Sequence, residues 1–105
     1  MGINKRMKKE EFCIMLDNSP YWRNKRYLGT YRHEAFFGVR NRQKSIDDGL
    51  VVFLTYEMHE GTYGVHGKKG HKFDLMVKKE AEKRWCEYYG KTKEDFRHRY
   101  GKNYL

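Results

Sequence analysis

Proline occurs once, at Pro20, and cysteine twice, at Cys13 and Cys86. One thiol near each end, with no CxxC pair, argues against a disulfide framework and against a zinc knuckle. It predicts two free thiols in a reducing cytoplasm. No apolar stretch has the length needed to cross a membrane. The opening Met1-Gly2-Ile3-Asn4-Lys5-Arg6 is charged and lacks the apolar segment of a secretory signal. Acidic side chains are the minority: 14 Asp+Glu stand against 23 Lys+Arg, a formal net charge of +9. A field of that sign favours polyanionic partners, nucleic acid first and an acidic protein surface second. There is neither an internal repeat nor a low-complexity tract, and 105 residues suffice for one modest core. The expected organisation is one domain over 1–105, with a charged lead-in over 1–11 and a core over 27–105.

Aromatic residues are plentiful, at 16% of the chain with nine tyrosines. Much of the core must therefore be built from rings whose polar edges need partners. Phe12-Cys13-Ile14-Met15-Leu16 is a short apolar run, closed by the turn-forming Asp17-Asn18-Ser19-Pro20, and periodicity leaves it open between helix and strand. Tyr27 to Glu34 alternates aromatic and polar positions, as a strand does, with Tyr27, Tyr31 and His33 on one face. Asn41-Arg42-Gln43-Lys44-Ser45 predicts a short helical turn stopped by Gly49. Leu50-Val51-Val52-Phe53-Leu54, apolar on both faces and rich in β-branched residues, predicts the strongest strand. Gly61, Gly64, Gly67 and Gly70 mark 59–70 as a flexible loop. From Lys72 to Tyr89 the apolar Phe73, Val77, Ala81, Trp85 and Tyr89 recur at i+4, predicting a long helix that ends at Gly90. Thr92 and Asp95 form a capping-box pattern for a last short helix, stopped by Gly101. The expected fold class is α+β.

Three of the five histidines fall at element ends: His33 on the first strand, His59 after the second, and His66 before the long helix. If the strands pair and the helix packs across them, the three imidazoles converge. Neutral imidazoles in such a group suit a single transition metal, zinc above all, whereas magnesium or manganese prefers oxygen ligands. Glu34, Glu57 and Glu60 are nearby carboxylates available as a fourth ligand. His71 and His98, beside Lys72 and Arg97, read as solvated residues.

The blocks His33-Glu34-Ala35-Phe36-Phe37-Gly38, Asn41-Arg42-Gln43-Lys44-Ser45, Gly49-Leu50-Val51-Val52-Phe53-Leu54, His59 and Gly64-Val65-His66, in that order, resemble small HNH-like proteins from phages of Gram-positive bacteria. Asp74 and the closing Gly101-Lys102-Asn103-Tyr104-Leu105 fit the same pattern. The resemblance implies a ββα-metal fold: a hairpin, a long helix and a short C-terminal helix. It implies His33, His59 and His66 as metal ligands, with His33-Glu34 as the catalytic pair and Glu34 at the position of the general base. A metal, zinc or else magnesium or manganese, would polarise a scissile phosphate while the base deprotonates water. Three positions depart from the pattern. Glu34 stands where many relatives have a second histidine, and an unperturbed carboxylate, with a pKa of about 4.3, is the weaker base. Thr55 and Met58 stand near positions where many relatives carry cysteines, so no second structural zinc is expected. Gly49 stands where an asparagine precedes the second strand.

Trp22-Arg23-Asn24-Lys25-Arg26-Tyr27 and Arg40-Asn41-Arg42-Gln43-Lys44 interleave cations with aromatic or amide groups, and Lys68-Lys69 lie beside His66; such surfaces contact phosphates. Two functions from different classes follow. One is a phage-encoded, zinc-binding, metal-dependent DNA endonuclease or nickase, or its degenerate derivative, acting in the host cytoplasm. The other is a non-catalytic metalloprotein of the anti-CRISPR type, which inhibits a host defence nuclease, or a nuclease–RNA complex, by direct binding.

Overall fold

The chain's most apolar run forms the centre of the fold. β2 (Val51–Thr55) pairs antiparallel with β1 (Thr30–Glu34), His33 facing Val52 and Glu34 facing Val51 across the ladder. The structure, a computed structural model, describes residues 11–105, so of the expected lead-in only Glu11 is described. β2 is covered on its other edge as well. Arg23 exchanges both backbone hydrogen bonds with Phe53 at 3.0 and 2.9 Å, and Ile14 N–H donates to Gly49 O. The Cys13 thiol donates to Val51 O at 3.0 Å. The Phe12–Leu16 run is thus neither helix nor strand; it is irregular chain docked along the sheet. Val51 to Leu54 keep at most 1% of their surface; burial on both faces is why this strand lacks the usual alternation.

Four helices complete the α+β arrangement among the described residues: α1 (Arg42–Asp48), α2 (Tyr56–Glu60), α3 (His71–Tyr89) and α4 (Lys93–Tyr100). α1 joins the strands and is held to β1's exit by Ser45, whose hydroxyl donates to Phe36 O and accepts from Phe36 N–H. It ends at Gly49, with φ of 79°. A Cβ there would lie 2.9 Å from the Phe12 ring, so packing as well as backbone conformation accounts for a glycine where the resemblance places an asparagine. α3 buries Phe73, Val77, Ala81 and Trp85, the expected i+4 stripe, against Val52 and Leu54 in one core. α4 starts on the Thr92–Asp95 capping box with both reciprocal bonds made.

Two expectations are corrected. The first strand begins at Thr30, not Tyr27: Thr30 N–H and its hydroxyl both close on Tyr27 O, and Gly29 takes φ of 82°. Tyr27 and Leu28 are therefore turn residues, exposed to solvent. The 59–70 segment is not a loose loop. Its first two residues end α2, which Thr55 caps by accepting from Met58 N–H. The remainder is a series of turns closed by Gly64 N–H to Gly61 O, Gly67 N–H to Gly64 O and Gly70 N–H to Gly67 O at 2.9–3.1 Å, and folded back by Val65 N–H to Met58 O, His66 N–H to His59 O and Lys69 N–H to Thr62 O. Its glycines serve close approach, since a Cβ on Gly67 or Gly70 would overlap the carbonyl oxygen of Gly61 or Gly64.

The helices meet at one carboxylate. Asp48, at the end of α1, accepts from Trp85 Nε1 at 2.9 Å, Tyr100 OH at 2.6 Å and the Arg99 guanidinium at 2.6 and 2.8 Å. Its carbonyl accepts from Tyr89 OH. Burial, then the hydrogen bond to Asp48, pushes the Tyr100 phenol well above its ordinary value. Removing the acceptor strands two buried donors, each costing about 1–3 kcal/mol. Asp48→Ala should therefore lose about 3 kcal/mol in urea unfolding, while Glu94→Ala, which breaks an exposed pair with Arg97, should unfold near the parent. Coincident curves for Asp48→Ala and the parent would remove this network from the account of stability.

Candidate metal centre

The pleat of β1 turns His33 inward, where the residue keeps 2% of its surface. α2 carries His59 out of the end of β2, and the backbone bond from His66 N–H to His59 O, 3.0 Å long, brings the third imidazole alongside. The ring centroids stand 5.5 Å (His33–His59), 5.1 Å (His33–His66) and 4.8 Å (His59–His66) apart. One ring nitrogen from each lies within 4.8 Å of the other two. The group runs from buried His33 through half-buried His59 to exposed His66, so it opens to solvent on one side.

The donor set fits a transition metal. Burial, then the charges of His66, His59 and Lys78, depresses the His33 pKa to about 3. Burial and His66 lower that of His59, against Glu60 and Glu34, which raise it. Both imidazoles are therefore neutral at physiological pH, the state that ligates. His33 Nε2 is buried and has no hydrogen-bond partner, an arrangement that normally costs stability and that a cation would satisfy. Tetrahedral zinc needs ligand nitrogens about 3.4 Å apart, so nitrogens that lie within 4.8 Å of one another would close on a bound ion. His59 Nδ1 sits 3.4 Å from Glu60 Oε2, an outer carboxylate of the kind that orients a ligating imidazole. Tyr31 lies parallel to the His59 ring, 6.0 Å away.

The three imidazoles group without a carboxylate oxygen among them. Glu34 does line the same pocket as His33, with Glu11, Arg26, Arg32, Arg42, Phe37, His59 and His66 around a cavity of about 520 Å³. Its two oxygens face two guanidiniums, Arg32 Nε at 2.9 Å and Arg42 Nε at 3.6 Å. Strand neighbours that alternate in direction thus reach one pocket, His33 at its floor and Glu34 at its wall.

Of the basic residues singled out in the sequence, Arg26 and Arg42 line this pocket. Arg23 is used structurally, its guanidinium donating to Ser19 O and Trp22 O. Lys44 donates to Arg99 O, and Lys69 lies over the Tyr63 ring. Arg40, Lys25 and Lys68 are exposed and do not line it. Asn41 binds Tyr100 O and belongs to the scaffold. His71 and His98 are exposed, as expected. Sequence reasoning missed Arg32, although its i,i+2 spacing from Glu34 on a strand signals a shared face. It also missed Glu11 and Lys78, whose ammonium lies 4.6 Å over Phe37. Arg26 and Arg32 both bond to the Glu11 carboxylate. Although burial raises the Glu11 pKa, their hydrogen bonds and charges hold it below its ordinary value.

No family model, curated protein sequence or solved structure matches this chain.

Protein purified without added metal should carry about one transition-metal ion per chain by elemental analysis. His59→Ala and His66→Ala should each lower both occupancy and thermal stability. Metal-free protein whose variants melt like the parent would mean that the three imidazoles group without an ion.

Proposed function

We propose that the protein is a zinc-binding domain of the ββα-metal, HNH-like type that binds nucleic acid and hydrolyses its phosphodiester bonds. One observation carries this reading: a pocket that combines three convergent imidazoles with three arginines, Arg26, Arg32 and Arg42. Nitrogen ligands and guanidiniums on a single cavity suit a bound cation and a phosphate side by side, and Arg is the side chain best matched to planar, bidentate contact with phosphate oxygens. His33, His59 and His66 would hold the metal. When bound it would supply Lewis acidity at a phosphate oxygen. The arginines would orient the phosphate and neutralise its charge, and Glu34 would accept the proton of the attacking water. The overall +9 charge would draw a polyanion to this face. The order of motifs from His33 to Leu105, with its resemblance to phage HNH-like proteins, supports the same reading.

A second reading has its own observation. Both oxygens of Glu34 already face guanidiniums, which suits a site kept for binding alone, against nucleic acid or against a host nuclease. A supercoiled-plasmid nicking assay on metal-defined protein separates the two. Under the hydrolytic reading the parent nicks only when metal is bound, His59→Ala is inert, and Glu34→Gln is slower by roughly 100-fold or more with its metal content intact. A parent that holds metal, binds DNA and never nicks selects the second reading. Duplex affinity should fall steeply with salt, and Arg42→Gln should reduce the log–log slope by about 0.9. A flat dependence would point to a protein partner.

A further inference from the structure

The pocket's mouth holds a feature that neither metal binding nor hydrolysis requires. Glu11 projects one carboxylate between two arginines. Its Oε1 accepts from Arg26 Nε and Nη2 at 3.1 and 2.6 Å, and its Oε2 accepts from Arg32 Nη1 at 2.7 Å. All three residues line the cavity that contains the histidines. A carboxylate is a planar monoanion with two acceptor oxygens; two non-bridging oxygens of a phosphodiester carry the same charge across a similar span. The pair is half-open, with Arg26 keeping 36% of its side-chain surface, Arg32 31% and Glu11 21%. All three side chains keep part of their surface exposed, so a competing anion has access to both guanidiniums. Arg32 keeps its second contact, to Glu34, and would stay in place when Glu11 leaves.

We propose that Arg26 and Arg32 form an oxyanion seat at the mouth of the histidine pocket, that its ligand is a backbone phosphate of nucleic acid, and that Glu11 is its internal occupant. The ligand class rests on the function proposed above; the seat itself rests on the geometry alone. In the closed form the pocket rim carries Arg26, Arg32 and Arg42 against Glu11 and Glu34, a balance of +1. Displacing Glu11 raises it to +2, so the field of the open pocket strengthens as the polyanion arrives. A latch closed in about 90% of molecules lowers apparent affinity roughly tenfold.

The test uses Glu11→Gln, close in shape but without the charge, with Glu94→Gln as a control that changes net charge equally away from the pocket. Two probes are titrated at fixed salt: a short DNA duplex, followed by fluorescence anisotropy, and inorganic phosphate, followed through the side-chain Nε–H signals of the arginines. Glu11→Gln should bind the duplex about five- to tenfold more tightly than the parent, well beyond any gain in Glu94→Gln. Phosphate should shift the Arg26 and Arg32 signals at lower concentration than in the parent. Adding Arg32→Gln should cancel both gains. If phosphate reaches Arg26 and Arg32 in Glu11→Gln while the duplex binds no variant, the seat stands, and its nucleic-acid ligand falls together with the hydrolytic reading. If Glu11→Gln matches Glu94→Gln with both probes, the seat is overturned, whether or not the parent nicks DNA.

Discussion

Two backbone hydrogen bonds, Val65 N–H to Met58 O and His66 N–H to His59 O, hold the turn segment against α2, and the histidine group depends on them. They form only because the chain between comes closer to itself than any side chain permits. Gly61 and Gly64, which lie between, each press their α-carbon on a neighbouring carbonyl. A Cβ at either would overlap a carbonyl oxygen of α2, so the turn that carries His66 back to His59 would have to shift. His33 needs no such help, because pairing with Val52 fixes it in the ladder. The group is thus assembled from one imidazole set by the sheet and two set by steric close approach.

The surrounding charges are held by a separate framework. Asp48 joins the end of α1 to α3 and α4, and Ser45 joins α1 to the exit of β1. α1 also carries Arg42 at its first residue. The carboxylate that gathers Trp85, Arg99 and Tyr100 therefore fixes, through α1, the base from which a guanidinium reaches into the pocket. Packing among three helices and a pocket residue thus share one short helix.

Much of this was legible in the sequence because local chemistry and tertiary need agree. The i+4 stripe of α3, the capping box of α4, the glycine stops and the apolar Val51–Leu54 run each state one structural answer. The convergence of His33, His59 and His66 followed from their places at element ends. What was not legible depends on distant partners. Nothing near Glu11 in sequence announces Arg26 and Arg32, and Arg23 reads as a surface cation until its backbone is seen paired with Phe53. The strand start was misplaced because Gly29 turns the chain where the aromatic alternation continues. The glycine loop was read as loose because glycine marks freedom and close packing with the same letter.

The two thiols have a chemical consequence of their own. Cys13 is half-buried with its S–H committed to Val51 O, and burial pushes its pKa up. Burial and the Glu82 charge do the same for Cys86. Both are therefore kept in the protonated, weakly nucleophilic form, and thiolate is what reacts with disulfides and peroxide. Neither lies in the histidine group, whose donor atoms are all nitrogen. With both pKa values raised, neither thiol is disposed to form the thiolate through which oxidative cross-linking proceeds.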